Sequence, residues 1–190
     1  MRESGLGATA RIPGQPDTWE GWEDSSVPPE SLGRYLRDFR ALLDRHGYRA
    51  ALYGHFGQGC LHTRIPFDLR SPEGIAKFRS FVEKAADLVV SYGGSLSGEH
   101  GDGQSRAELL PKMFSSELLR AFEEWKQIWD PEGGMNPGKI VRPHRLDQNL
   151  RLGAGYRPKE LSTRFRFPED RGSFSYAAER CVGVGECRKR

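Results

Sequence analysis

Hydrophobic residues recur every three or four positions in three stretches of the chain, which is the spacing of an amphipathic helix. The first predicted helix begins at Glu30 and ends before Gly47, and the second follows Ser71-Pro72 and ends at Gly93-Gly94. The third covers residues 116–129 and ends before Asp130-Pro131. The side chains expected to point inward from this third helix are Leu118, Leu119, Phe122, Trp125 and Trp129.

Alternating patterns predict two strands between the first and second helices, at residues 49–53 and 61–69. In the second strand, Leu61 and Ile65 share one face with Thr63 and Phe67, whereas His62 lies on the other face with Cys60 and Arg64. A further short strand is expected at residues 95–97. This order of elements predicts an α+β fold in which helices cover a small, mainly antiparallel sheet.

The ends of the chain lack such periodicity. Residues 1–29 are rich in Gly and Pro, which predicts an irregular arm, and the pattern fades again after Pro143. We therefore expect one packed domain at residues 30–143 and a weakly structured tail at residues 144–190. Residues 151–190 hold ten Lys and Arg against five Asp and Glu, so the basic charge of the chain belongs to the tail.

Composition narrows the class of protein. The 190 residues are 36% hydrophobic, and no apolar run approaches the roughly 20 residues that a membrane-spanning helix needs. A net charge of +3 is too small to indicate nucleic acid binding. The polar start lacks the hydrophobic stretch of a targeting peptide, and three cysteines do not form a disulfide framework. These features favour a soluble cytoplasmic protein.

Two glycine-rich loops carry candidate chemistry. The first, at residues 54–62, places His55 at the end of one strand and His62 within the next. Both imidazoles could face one ion, although two isolated histidines more often have structural roles. The second loop, at residues 98–103, holds Glu99 and His100 between glycines. Glu99 could complete a site of two His and one carboxylate, suited to Zn, Mn or Fe, and His100 would then be free for proton transfer. Alternatively, Glu99 forms a salt bridge to an arginine.

Two other motifs suggest nucleotide binding but do not support it. Residues 133–140 match a phosphate-binding loop up to Lys139, but Ile140 replaces the required Ser or Thr. Pro137 also removes a backbone N–H from the supposed cradle. The glycines of residues 54–59 lie between two strands, whereas a dinucleotide fingerprint joins a strand to a helix.

Cys181 and Cys187 lie near the end of the chain, separated by small residues. Two thiolates alone complete neither a zinc site nor an iron–sulfur cluster. They are therefore either ordinary thiols or ligands of a site that further sequence would complete.

Taken together, three motifs resemble one family. They are Gly54-His55-Phe56-Gly57-Gln58-Gly59 with His62, then Gly94-Ser95-Leu96-Ser97-Gly98-Glu99-His100-Gly101, then Asp130-Pro131 with Asn136-Pro137-Gly138-Lys139-Ile140. The chain is similar over residues 1–150 to FAD-linked oxidases of the vanillyl-alcohol-oxidase type. The matching part is the C-terminal substrate domain shared by D-lactate, glycolate and D-2-hydroxyglutarate dehydrogenases. Residues 180–188 look like the entry to the iron–sulfur domain of long, fused members.

The resemblance implies a role for each matching residue. His55, His62 and Glu99 would bind a divalent metal that holds the hydroxyl and carboxylate oxygens of a 2-hydroxy acid. His100 would be the candidate base, Arg2 would pair with the substrate carboxylate, and Asn136 would approach the flavin. Hydride would pass to FAD, and electrons would continue to a 4Fe-4S cluster that Cys181 and Cys187 help to bind.

Two departures from the family leave the substrate open. Many relatives have Asp-Gly-Asn where this chain has residues 57–60, and a basic residue where Trp22 stands. The FAD-binding domain of the family is missing from the sequence, so we expect a fragment whose partners are that domain, an iron–sulfur domain and a small 2-hydroxy acid. The alternatives are a metal-dependent hydrolase that uses the same ligands and a non-catalytic docking or electron-transfer module.

Overall fold

The computed structural model of the chain describes residues 9–10, 16–181 and 185. Within them, the strands are β1 (Asp24–Ser26), β2 (Ala51–Tyr53) and β3 (Cys60–Arg64). The helices are α1 (Leu32–Arg45), α2 (Pro72–Ser91), α3 (Ser116–Trp129) and α4 (Phe174–Glu179). Short 3₁₀ helices lie at Pro29–Ser31, Phe56–Gln58, Ala107–Lys112 and Pro168–Asp170. Helices packed with a small antiparallel sheet confirm the predicted α+β fold.

The sheet has the order β1-β3-β2, and both pairs are antiparallel. The central strand β3 ends at Arg64, earlier than its sequence pattern predicts. Pro66 follows, and proline has no N–H with which to continue a ladder. Ile65 nevertheless forms an isolated bridge with Trp19, which fixes the preceding arm against the end of β3.

Strand β1 was not predicted, because it lies in the arm that lacks periodicity. Its last residue, Ser26, exchanges two backbone hydrogen bonds with Ser95, of 2.8 and 3.1 Å. The strand expected at residues 95–97 is reduced to this single bridge. The arm thereby connects the central strand to the loop that carries Glu99.

Helices α1 and α2 form the main layer over the sheet and supply half of the buried core residues in the described part of the chain. Helix α2 begins directly after Ser71, whose side chain accepts a hydrogen bond from the Gly74 amide and caps the helix. Phe39 of α1 and Phe81 of α2 are fully buried, with ring centroids 6.1 Å apart. The face of β3 that carries Leu61 and Thr63 is also buried, and so is Ile65 directly after the strand.

Helix α3 has the predicted bounds, but the expectation for its inward face is wrong in part. Leu118 is 41% exposed, and Trp125 and Trp129 are each 64% exposed. Only Leu119 and Phe122 of the predicted set are half-buried, and the ring of Phe122 packs on Phe114 at 5.6 Å. The helix contacts the short 3₁₀ helix Ala107–Lys112, which is too small to cover a wide apolar face. In the described residues, no helix is long and apolar enough to cross a membrane.

Candidate functional site

The loop between β2 and β3 presents His55. It contains a turn of 3₁₀ helix, and its closing residue, Gly59, has a φ of +75°. A Cβ at Gly59 would lie 1.9 Å from the carbonyl oxygen of Val27, so only glycine fits there. The loop therefore closes tightly enough to bring His55 beside the central strand.

His62 lies in the middle of β3 and is almost completely buried, with 6% of its side chain exposed. Its neighbours across the sheet are Asp24 on β1 and Tyr53 on β2. The ring of Tyr53 packs against the imidazole at 5.3 Å. The sheet fixes His62 from both sides.

Glu99 connects the two histidines. Its Oε1 atom is 3.0 Å from Nε2 of His62 and 3.1 Å from Nε2 of His55. Ligand atoms of all three residues lie within 4.8 Å of one another. Among the described residues, the ion-pair partners of Glu99 are histidines. The structure therefore does not show the alternative pairing of Glu99 with an arginine. The structure thus brings together the two loops that the sequence singled out.

A buried carboxylate that the sequence did not indicate holds the Glu99 turn in place. Oδ2 of Asp24 accepts hydrogen bonds from the Ser97 hydroxyl at 2.6 Å and from the backbone amides of Glu99 at 3.0 Å and His100 at 2.8 Å. Burial raises the pKa of the Asp24 carboxyl, but these hydrogen bonds outweigh it and leave the pKa below its ordinary value. Asp24 is therefore ionised at neutral pH.

His100 lies at the open side of the cluster and is half exposed. Its ring stacks on that of His62, with centroids 4.8 Å apart and planes 6° apart. Its Nδ1 atom is 3.0 Å from a carboxylate oxygen of Glu23, and the buried Arg106 lies 3.5 Å from the other oxygen. A second set of ligand atoms within 4.8 Å of one another comprises Glu23, His62 and His100.

The third motif contacts the residues that follow His100 along the chain. The Ile140 amide donates to the carbonyl of Gly103 at 3.3 Å, and Lys139 donates to the Gln104 side chain at 3.2 Å. Asn136 is exposed in the same segment, with a φ of +46°. The residues that follow His100 are therefore neighbours of the Asn-Pro-Gly-Lys segment.

Comparison with known proteins identifies the family. Residues 1–140 match the family described as FAD linked oxidases, C-terminal domain. This chain belongs to that family. The residues that match the FAD-linked oxidase family contain all three motifs on which the resemblance was based.

The relatives of this FAD-linked oxidase domain include D-2-hydroxyglutarate dehydrogenases. The protein of that name from Haemophilus influenzae is 35% identical over 188 residues, which is 98% of this chain and 18% of the relative. That from Escherichia coli is 38% identical over 147 residues, which is 77% of this chain and 14% of the relative. The glycolate oxidase subunit GlcD of Escherichia coli is 33% identical over 62% of this chain and 24% of the relative. The chain thus spans less than a quarter of the length of these relatives.

The structure does not place every predicted site residue of the FAD-linked oxidase domain at this centre. Arg2 and Cys187 fall outside the described residues, so their roles stay predictions. Cys181 is exposed at the end of the described tail. Asp24 and Glu23 were missed because the arm has no periodicity. Only the pairing of β1 with β3 brings them to the site, and the sequence pattern does not show that pairing.

Proposed function

We propose that this chain is the substrate- and metal-binding part of an FAD-dependent enzyme that oxidises a D-2-hydroxy acid. The observation that carries the proposal is the cluster of His55, His62 and Glu99. It is supported by the names of the relatives, which are dehydrogenases and oxidases of such acids. Residues 30–143 would be the functional domain, with residues 1–29 as its arm and 144–190 as a linker.

The cluster fits a divalent cation. Two imidazole nitrogens and a carboxylate oxygen are ligands that Zn, Mn and Fe accept, and three protein ligands leave positions open for a substrate. Two ligand atoms about 2.1 Å from one ion are about 3.0 Å apart at a right angle and about 3.4 Å apart at the tetrahedral angle. The separations of 3.0 and 3.1 Å between Glu99 and the two histidines are hydrogen-bond distances that either geometry would widen by no more than about 0.4 Å.

A bound cation supplies Lewis acidity that lowers the pKa of the substrate hydroxyl, and a bound FAD supplies the hydride acceptor. His100 is the candidate base. Nδ1 of His100 donates a hydrogen bond to Glu23, so the lone pair of His100 Nε2 is free to take the hydroxyl proton. His55, His62 and Glu99 hold the site, and Arg2 would pair with the substrate carboxylate.

The other cofactors and partners belong to the same proposal. FAD would be bound mainly by a domain outside this chain, with Asn136 approaching it from the exposed Asn-Pro-Gly-Lys segment. Electrons would leave through an iron–sulfur domain, whose 4Fe-4S cluster Cys181 and Cys187 would help to bind. The sequences that match this chain are long enough to accommodate both domains.

Metal binding is tested first, by calorimetric titration of the chain with Zn²⁺ and Mn²⁺. We expect one site, which is lost in His55→Ala and Glu99→Gln. His144→Ala and Glu132→Gln are matched controls, since both residues are exposed and neither belongs to the cluster. A folded wild-type chain that binds neither cation would refute the metal site.

The reaction is tested in a chimera in which the 147 matching residues of this chain replace their counterpart in Escherichia coli D-2-hydroxyglutarate dehydrogenase. We expect D-2-hydroxyglutarate to bleach the oxidised flavin, and the L enantiomer to leave it unchanged. His100→Ala should retain the metal and lose the bleaching. A folded, flavin-loaded chimera that no D-2-hydroxy acid reduces would exclude the proposed reaction, and metal-dependent ester hydrolysis by the chain would favour the hydrolase instead.

A further inference from the structure

We infer that Asp24 is a positioning residue that orients His62 and accepts the proton on its Nδ1 atom when Nε2 binds a cation. The inference rests on the proposed metal site. Asp24 lies directly opposite His62 in the β1–β3 ladder, and its side chain is completely buried. Its Oδ1 atom is 3.5 Å from Nδ1 of His62, on the side of the ring away from Glu99.

The polar atoms around His62 show where its proton lies with and without a cation. Nδ1 of His62 and Oδ1 of Asp24 are both buried and face each other, and neither has a hydrogen-bond partner among the described residues. Nε2 is 3.0 Å from Oε1 of Glu99, and a carboxylate can only accept, so without a cation the proton on Nε2 is donated to Glu99. A cation that binds at Nε2 displaces this proton, and the ring then carries its proton on Nδ1, where Oδ1 of Asp24 can accept it. A carboxylate behind a ligating histidine sets the tautomer and the ring orientation in this way in metal sites generally.

The other oxygen of Asp24 prevents the carboxylate from turning. Oδ2 accepts the hydroxyl of Ser97 and the backbone amides of Glu99 and His100. The two amides belong to the backbone and cannot rotate away, so Oδ2 is committed to them and Oδ1 remains directed at His62. One side chain thus places two of the three proposed ligands, His62 through its ring and Glu99 through its backbone.

This arrangement determines what Asp24→Asn would do. The amide group has one oxygen, and the three donors around the Oδ2 position require that oxygen. The NH₂ group is then left facing Nδ1 of His62, where it donates a hydrogen bond. His62 must then keep its proton on Nε2, where the proton occupies the lone pair that would bind a metal. The variant changes the size of the side chain very little, so the sheet is retained.

The first test is to titrate the full 190-residue chain with Zn²⁺ and to compare wild type with Asp24→Asn. We expect the dissociation constant to rise by about 10- to 100-fold, the usual effect of losing such a partner behind a metal ligand. Asp68→Asn is the matched control, because Asp68 also accepts two backbone amides and a serine hydroxyl but lies outside the cluster. It should leave the dissociation constant unchanged. An unchanged constant in a folded Asp24→Asn chain would overturn the inference.

The second test does not depend on the variant. Nitrogen NMR of the Zn²⁺ form should show a proton on Nδ1 of His62 that exchanges slowly with water, because it is buried and faces Oδ1 of Asp24. A rapidly exchanging Nδ1 proton in the Zn²⁺ form would overturn the inference even if Asp24→Asn fails to fold. A folded wild-type chain that binds no Zn²⁺ would instead contradict the proposed metal site.

Discussion

Gly59 has no room for a side chain in the loop that presents His55. It has a φ of +75°, and a Cβ would collide with the carbonyl of Val27. Two residues earlier, a Cβ on Gly57 would meet nothing within 4 Å. We predict that Gly59→Ala lowers the free energy of unfolding by at least about 1–3 kcal/mol, because the left-handed backbone and the collision both cost energy.

Urea denaturation measures this difference, and Gly57→Ala is the control in the same loop. The control should change the free energy of unfolding by no more than about 1 kcal/mol, since it fills open space. Equal effects of the two substitutions would contradict the collision at Gly59, because they would show that the loop can move to accept a side chain there.

Asp130 gives a prediction about pH. Its carboxylate accepts hydrogen bonds from Lys126 and from the amides of Gly134 and Met135, and these bonds place its pKa below the ordinary value of 3.8 even though burial opposes the shift. A lowered pKa in the folded state contributes stability above pH 3.8, and that stability is lost as the pH falls through the folded pKa. Asp130→Asn should therefore lower Tm at pH 7 and should do so less as the pH approaches 3. A Tm difference that is constant across this range would contradict the assignment.

Individual residues also show how far the sequence could predict the candidate site. His55, His62 and Glu99 were found because glycines mark the loops that carry them. Asp24 has no such mark, since its position depends on the pairing of β1 with β3, and a three-residue strand has too few residues to show alternation. Its three hydrogen-bond donors lie more than 70 residues further along the chain.

At the level of elements, the helices were predictable where a cap and a buried face coincide. The cap at Ser71, the stop at Gly93 and the apolar stripe between them agree, and α2 follows all three. Helix α3 shows the limit of the same method. Periodicity finds its apolar side, but whether that side is covered depends on what packs against it, and in the described residues Trp125 and Trp129 remain exposed.

The contact between α1 and α2 depends strongly on Phe81. Its ring is fully buried and packs on those of Phe39, Tyr48 and Phe67 at 6.1, 5.4 and 5.8 Å. Phe81→Ala should lower the free energy of unfolding by about 3–5 kcal/mol, because it leaves a cavity between two helices and the sheet. Chemical denaturation measures the loss. Phe165→Ala is the control, since Phe165 is 77% exposed, and a similar loss in both variants would show that Phe81 is not central to the core.

At the scale of the whole molecule, the tail returns to the packed domain at Arg70. The Arg70 guanidinium is 2.5 Å from a carboxylate oxygen of Glu179 and 5.4 and 5.9 Å from the ring centroids of Tyr156 and Tyr176. Arg70 precedes the cap of α2, so one side chain connects residues 156–179 to the start of a core helix. The tail lacks periodicity because only isolated apolar side chains such as Leu146 and Leu150 reach the core, and its contacts with Arg70 are polar and aromatic.

We predict that Arg70→Ala releases α4 and leaves the core intact. An exposed ion pair contributes about 0.2–1 kcal/mol and each of the two cation–π contacts about 0.5–1 kcal/mol, so the tail should lose about 1–3 kcal/mol of local stability. Amide hydrogen exchange in α4 should then become about tenfold faster, while exchange in α2 should stay as in the wild type. Arg70→Lys should lie in between, because lysine keeps the charge but loses the planar stacking on the tyrosines. Arg164→Ala removes a tail charge elsewhere and should change neither helix. If Arg70→Ala accelerates exchange in α2 as strongly as in α4, the tail and the domain unfold as one unit, and Arg70 is not the point at which they separate.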